Sequence, residues 1–399
     1  MKPVKLQYFL AFAVMGAIMP FLAVYLKEDQ GLTETQIGYV AAAASVAVLI
    51  TPVAITLLAD TRLDPRRLIA ACYLLSGTFL ALLAFAEGFR PTLLLFGLHS
   101  LAFVAIVPLQ DGVNFSIQRK REEAGLPLSP YHQVRVWGTI GFIVPSAIIF
   151  LLIERGHTTT IILTIAIAFS LLGILNCRFL PDPRAHRDKP ARPPDAKAWG
   201  LPTLGAARAL FSGNVLVFCI GMTFVHAASS AYFAFYPLYL TEEVGIDRKW
   251  VGLIFNIGVV IEIVFILALG YLIRKVGLRN LILIGTFCMA ARTALLAWQP
   301  TVSIAIAGQV FHGLIIIALY VAPVMYINRQ AADRFRNSIQ GLYTMTVVGG
   351  SRIVGSILSG HLAQSGLILL FVVATVMSVI TLILFLIAFR EEAGDRSPF

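Results

Sequence analysis

Charge is what this sequence has least of. Only 13% of its 399 residues are Asp, Glu, Lys or Arg, while 58% are hydrophobic and the mean hydropathy is +0.84. Water-soluble domains carry roughly 25% charge, so a soluble globular enzyme is excluded and an integral membrane protein is implied. Period-two alternation in strand-length segments is also missing, which excludes a membrane barrel and leaves helices as the spanning elements. Cysteine is scarce. Cys72, Cys177, Cys219 and Cys288 lie far apart in or beside apolar segments, where they read as small core residues rather than disulfides or metal ligands. No metal-ligand cluster and no Ser/His/Asp arrangement is visible, so neither an enzyme nor a metal or organic cofactor is expected. No appended signalling domain supports the remaining alternative, a solute sensor that does not transport. The first apolar stretch, from about Leu6 to Leu26, is too long for the h-region of a cleavable signal. The net charge of +10 raises the question of nucleic acid. The basic residues are spread over short loops, however, as membrane topology demands, and no nucleic-acid partner is expected.

Twelve apolar segments are present, at roughly 5–27, 35–59, 68–87, 92–117, 131–153, 158–180, 212–240, 249–273, 280–298, 301–327, 338–363 and 366–389. Each is long enough to cross a bilayer at ~1.5 Å per residue. Most connections are short. The exception, 181–211, is rich in Pro, Arg, Lys and Asp and reads as a cytoplasmic linker between an N-terminal six-helix half (1–180) and a C-terminal one (212–399). The loops alternate in charge, with 23 basic residues on one side and 5 on the other. The positive-inside rule then places both termini and the linker in the cytoplasm of a bacterial-type inner membrane.

The halves repeat each other. "YLKEDQGLTETQIG" at 25–38 matches "YLTEEVGIDRKWVG" at 239–252 at a constant offset of 214, with Tyr, Leu, Glu and both Gly coinciding. Parallel repeats of this kind place a solute site between two halves near the midplane, with rocking giving alternating access.

Polar groups inside the spans are few. Of 21 acidic residues only Asp111 and Glu262 lie well within them. A charge there costs at least ~2.5–3.5 kcal/mol on insertion scales, so each is a functional candidate, and a carboxylate in low dielectric can trade a proton near neutral pH. Asp111 shares a helical face with Pro108, Asn114 and Gln118. Arg135, on the next helix at matching depth, is either its ion-pair partner or a grip for a solute's hydroxyls or carboxylate. Gly138, Thr139 and Phe142 share the Arg135 face and leave space there, while Trp137 is nearly opposite and reads as a packing or interfacial residue. Glu262, Arg292 and His312 fall on helices eight, nine and ten and together would form a proton relay; His312 alone would equally suit a core histidine. His226 sits in an aromatic stretch with Tyr232, Phe233 and Tyr236 that either lines a cavity or packs. Arg352 stands among small residues, without an assigned role.

These stretches resemble one branch of the major facilitator superfamily, the phenylpropionate permease family, which is related to the galactoside and nucleoside proton symporters. The resemblance covers nearly the whole chain. It is densest in "VPLQD" with "YHQVRVWGTIGFI", in "VHAASSAYFAFYPLYL", in "GVVIEIVFILALGYLIRKVGLRN", and in "QVFHGLIIIALYVAPVMYI" with "QGLYTMTVVGGSRIVGSILSG". "LADTRLDPRR" is similar to that superfamily's loop between helices two and three. The resemblance implies a twelve-helix transporter with Asp60, Arg62 and Arg66 as a conformational latch. It implies a substrate site with Asp111 and Arg135 and proton coupling through Glu262, Arg292 and His312; Asn114 on the Asp111 face and His226 and Tyr232 on the seventh helix are further substrate-site candidates read from the residues themselves. Glu262 matches the helix-eight glutamate of the phenylpropionate and nucleoside relatives. The chain departs from the galactoside pattern at Ile315, where those carriers hold a glutamate. It departs from the nucleoside pattern at Asp111, where those carry asparagine, and in lacking their helix-ten aspartate. The expectation is a monomeric proton symporter that takes up a small organic solute, an aromatic carboxylate such as a phenylpropionate-like acid. A nucleoside or sugar is the alternative solute, and the proton gradient is the energy source.

Overall fold

A computed structural model describes residues 1–59, 64–129, 131–181, 204–330 and 336–390. Those residues are overwhelmingly helical, with no strand among them. Twelve long helical segments follow one another: α1 Lys2–Glu28, α2 Glu34–Ala59, α3 Pro65–Leu83, α4 Phe89–Glu123, α5 Tyr131–Glu154, α6 Ile161–Cys177, α7 Gly213–Glu243, α8 Arg248–Val276, α9 Leu278–Trp298, α10 Val302–Gln330, α11 at 336–365 and α12 Leu367–Ala388. Ten of these are long and apolar enough to cross a membrane; α6 is shorter, and α11 is long but interrupted by π-helical turns at Thr344–Gly349. The all-helical membrane architecture expected from the sequence is the one observed. α4 runs past its expected end at 117, and its last turns carry an exposed pair, Arg119 and Glu123, one turn apart.

Helix ends follow local chemistry. The Asp64 carboxylate accepts the Arg66 backbone N–H at 2.9 Å and caps α3, whose first residue is Pro65. The expected latch falls partly outside the described residues, at Asp60 and Arg62. Arg66 is described, and its guanidinium donates to Asp64 and to the Leu180 carbonyl.

The chain divides into two compact units. One holds α1–α6 with residues 247–253; the other holds α7 and α9–α12 with the rest of α8. In the first unit α1 packs on α5 and α6, and α3 on α4 and α6. In the second, α7 packs on α11 and α12, and α9 on α10 and α12. The pairing is the same after a shift of six helices, which is the repeat read from the sequence. The matched turns are also built alike. Gly31 and Gly245 both take positive φ, +64° and +74°, a conformation open to glycine at little cost. Each turn closes with one bond, Leu32 N–H to the Leu26 carbonyl at 2.9 Å and Ile246 N–H to the Leu240 carbonyl at 2.8 Å.

Each unit is built around its first helix: α1 is 78% and α7 72% buried over its apolar stretch, against 33% for α3 and α12. α12 exposes Val376, Val379, Ile380, Ile383 and Ile387, a helical stripe that suits lipid and would be a liability in water. Close approach to α1 depends on two glycines. A Cβ at Gly16 would run into the Phe142 carbonyl of α5, and one at Gly141 into the Phe9 carbonyl of α1. Small residues at such crossings let backbones meet. Between α1 and α6, Asn176 donates to Gln7 Oε1 at 2.5 Å and to the Pro3 carbonyl at 2.9 Å. Beyond the C-terminal end of α1, Asp29 accepts the Thr160 hydroxyl at 3.1 Å. Its burial holds the carboxyl above the usual range, partly offset by that bond. All four cysteines are buried and unbridged.

Candidate functional site

Each unit carries its own polar cluster, part-buried among the helices. In the first unit, Asp111 of α4 accepts hydrogen bonds from the hydroxyl of Tyr8 on α1 and, at 3.1 Å, from that of Tyr131 on α5. Tyr131 is held by stacking on Phe115, 5.3 Å between ring centroids. Arg135 is not the partner of Asp111. It lies one turn beyond Tyr131 on α5, and its guanidinium sits 4.0 Å from the centroid of Phe12, one turn beyond Tyr8 on α1. The two helices thus stack a layer of Tyr8, Tyr131 and Asp111 beneath a layer of Phe12 and Arg135. The expected pairing fails by one helical turn because two tyrosine hydroxyls reach the carboxylate first. Gly138 makes room for the arginine: a Cβ there would stand 2.8 Å from Arg135 Nη1 and 2.9 Å from the Phe12 ring.

Of the other residues on the Asp111 face, Gln118 is structural. Its amide grips the α4–α5 loop at Ser129 through two bonds, 2.6 Å to the carbonyl and 3.1 Å from the N–H. Asn114 is fully buried, and neither its oxygen nor its nitrogen has a hydrogen-bond partner; the same holds for Gln110 one turn earlier. Buried amides without partners are costly. Trp137 is 40% exposed, as its position opposite Arg135 implies.

In the second unit the structure brings together Arg292, His312 and Glu262. Arg292 of α9 is fully buried and places Nη1 3.2 Å from His312 Nδ1 on α10. His312 Nε2 in turn lies 3.5 Å from Glu262 Oε2 on α8. The hydrogen-bonding rules fix the tautomer. A guanidinium can only donate, so Nδ1 accepts, and a neutral His312 then carries its proton on Nε2, facing the Glu262 carboxylate. Burial falls along the chain, from Arg292 at 0% exposure to a Glu262 side chain at 26%. The Arg292 guanidinium also lies 3.5 Å from the Tyr232 ring centroid, a cation–π contact that compensates part of its desolvation. Tyr232 exchanges hydrogen bonds with Gln309, 2.9 and 3.0 Å. Gly258, one turn before Glu262, brings α8 against this group: a Cβ there would lie 2.5 Å from Gln309 Oε1 and 2.9 Å from His312 Cγ. A 3₁₀ stretch, Gly308–Phe311, leads directly into His312.

His226 of α7 is fully buried and stands apart from that chain. Its ring meets Tyr320 edge-on at 5.5 Å, and neither nitrogen has a hydrogen-bond partner. Four participants escaped sequence reasoning: Tyr8, Phe12, Tyr131 and Gln309. Gln309 left a signal, since it precedes His312 by three residues and must share its face. The others are aromatic residues in aromatic-rich helices, and nothing in their spacing marks them.

The chain has marked likenesses to known proteins. The model of the MFS_1 like family matches residues 2–388. The chain is 28% identical over 365 residues to the probable 3-phenylpropionic acid transporter of Escherichia coli (strain K12), covering 90% of each chain. It is 26% identical over 396 residues to the maltose permease of Geobacillus stearothermophilus, covering 98% of this chain and 95% of that one. A solved structure of a mutant of the nucleoside transporter NupG matches with a TM-score of 0.87 at 20% identity, covering 97% of this chain and 99% of that one. At that identity the likeness is one of fold.

Proposed function

The chain belongs to the MFS_1-like family and is a multi-pass membrane transporter of a small molecule, not an enzyme, and from that premise we propose that it takes up a small organic acid together with protons. The observation that carries this reading is the buried Glu262–His312–Arg292 chain. A carboxylate at that depth is costly when ionised and cheap when protonated. Protonating Glu262 removes the anion that His312 faces and leaves Arg292 as the one charge of the group, a change of net charge that lets the loaded carrier rearrange. His312 relays the change to Arg292, whose contact with Tyr232 joins the proton group to the Gln309 hydrogen bonds. An energised membrane supplies ~2.3 kcal/mol per charge per 100 mV for inward movement.

Substrate contacts are assigned to Arg135, Asp111 and Asn114 in the first unit and to His226 and Tyr232 in the second. The unsatisfied amide of Asn114 and the bare nitrogens of His226 are groups whose burial is explained by a bound solute. An aromatic acid of the phenylpropionate type fits arginine and aromatic rings together. The relative named as a probable 3-phenylpropionic acid transporter supports it. The second reading, a nucleoside or a sugar, is supported by the nucleoside and maltose permeases among the relatives. The carrier acts as a monomer in the inner membrane with both termini cytoplasmic, a placement supported by the asymmetry of basic loops. Asp60, Arg62 and Arg66 act as the latch of the first unit.

The deciding experiment compares wild type with Glu262→Gln in proteoliposomes. The variant should lose accumulation driven by a pH gradient while keeping solute exchange at equilibrium. Accumulation at the wild-type level would remove Glu262 from the proton role.

A further inference from the structure

Arg352 is the one span arginine of the second unit that the proton chain does not use. It lies mid-way along α11, about 20 Å or more from either end at 1.5 Å per residue, out of reach of lipid headgroups. Among the described residues no carboxylate lies within ion-pair distance of it. Arg292 at least holds a histidine and a tyrosine ring, and Arg135 a phenylalanine ring.

At the level of Arg352, on α11 and on the facing helix α7, lie polar atoms without partners. His226, on the facing stretch of α7, has two ring nitrogens that are fully buried and unbonded. Ser351, beside Arg352, buries a hydroxyl that also has no partner. The helices that carry them meet at this level: a Cβ at Gly355, one turn after Arg352, would lie 2.7 Å from Ala227 Cα, next to His226. Two irregular turns frame the group. One, Ile317–Val321, carries Tyr320, whose ring meets His226; the other, Thr344–Gly349, ends just before Arg352. π-turns inside helices recur at functional sites.

The repeat gives the arrangement meaning. At the offset of 214, His226 stands where Phe12 stands in the first unit, and Arg352 where Gly138 stands. In the first unit an arginine on the fifth helix lies over Phe12 with Gly138 beside it. In the second, the arginine occupies the glycine's own position and its neighbour is an imidazole. The same place in the repeat thus exchanges a cation–π contact for a cation beside an uncommitted hydrogen-bonding ring.

The charge count points the same way. Within the spans, three arginines (Arg135, Arg292, Arg352) face two carboxylates, Asp111 and Glu262. One positive charge is left over when both are ionised and two when Glu262 carries a proton, so an anionic substrate reduces the imbalance in either state. A neutral nucleoside or sugar does not.

We propose that Arg352 and His226, with the Ser351 hydroxyl, form the subsite that receives the carboxylate of a monoanionic substrate. This rests on the uptake of an organic acid put forward above and names where its charge is held. Arg352 donates to the carboxylate oxygens, and His226 supplies one N–H to the same group.

The test measures binding of 3-phenylpropionate and of its neutral counterpart 3-phenylpropanol to the purified full chain in detergent, where no proton gradient operates. Wild type should bind the acid roughly tenfold or more tightly than the alcohol, the worth of one charge-assisted bond. Arg352→Gln should abolish that preference by weakening the acid alone, and Arg352→Lys, which keeps the charge but not the planar fork, should retain only part of it. His226→Gln should weaken acid binding by about threefold to tenfold, and it carries the test if Arg352→Gln does not fold. Unchanged acid affinity in folded Arg352→Gln, or in His226→Gln where that variant carries the test, overturns the proposal. So does a wild type that binds 3-phenylpropanol or uridine as tightly as the acid. Loss of gradient-driven accumulation with binding intact would count against the symport reading and leave the subsite standing.

Discussion

Gly258→Ala tests the packing beneath the proton chain without touching a titratable group. On propensity alone the change should help, because Ala favours a helix interior over Gly by about 1 kcal/mol. The geometry predicts the opposite. The new Cβ would stand 2.5 Å from Gln309 Oε1, 2.9 Å from His312 Cγ and 3.1 Å from His312 Cβ, whereas ordinary contact begins near 3.4 Å. Gln309 can swing away only by giving up its bonds to Tyr232, and His312 must retreat from α8 by close to half an ångström. That retreat lengthens a contact to Glu262 already at 3.5 Å. Overpacking of this kind costs about 1–3 kcal/mol, which outweighs the propensity gain. Gly112 on α4 is the matched control, since a Cβ there meets nothing within 4 Å. Thermal melting of the purified variants and pH-gradient-driven uptake in vesicles are the assays. Gly112→Ala should melt at or above wild type and transport normally. Gly258→Ala should melt lower and lose accumulation. A Gly258→Ala protein that melts and accumulates like wild type refutes the close approach of α8 to α10.

Two further outcomes follow from the first unit. Tyr8→Phe removes a fully buried donor to Asp111, and Tyr131→Phe removes one that is 40% exposed. A bond to a charged group is worth about 1.5–3 kcal/mol, and water can replace only the exposed one. Tyr8→Phe should therefore lower the melting temperature clearly more than Tyr131→Phe, and equal losses would count against the layer. For Asp29 the sign runs with its raised carboxyl pKa. Folding disfavours the ionised form, so its contribution is greatest below the ordinary carboxylate range and declines as pH rises through the folded value. Asp29→Asn keeps an acceptor for Thr160 and should flatten that decline in melting scans from pH 4 to 7; an unchanged slope would show that Asp29 is not its source.

The spans and the repeat were readable because hydropathy and glycine-bearing turns are properties of the chain itself. Gly31 and Gly245 could be matched before their common φ was known. The convergence of Glu262, Arg292 and His312 was readable for a related reason: ionisable groups are so rare in these helices that three on successive ones have few other partners. The pairing of Asp111 was misread because depth inferred from spacing carries an error of a turn, and one turn separates Tyr131 from Arg135. A tyrosine that donates to a carboxylate looks, in sequence, like a tyrosine that packs. Arg352 was set aside because its significance lies in what it lacks, and a missing partner is visible only once neighbours are placed.

The Glu262–His312–Arg292 chain ends blind. Arg292 is sealed and, as a guanidinium, does not surrender its proton; Glu262 is the member with an exposed edge. A wire open at both ends would short-circuit the gradient whether or not solute moved. A cul-de-sac can only return a proton through the door by which it entered. For the proposed symport, tight stoichiometry is then a matter of plumbing rather than of competing rates: discharge on the far side demands that the door itself be carried there.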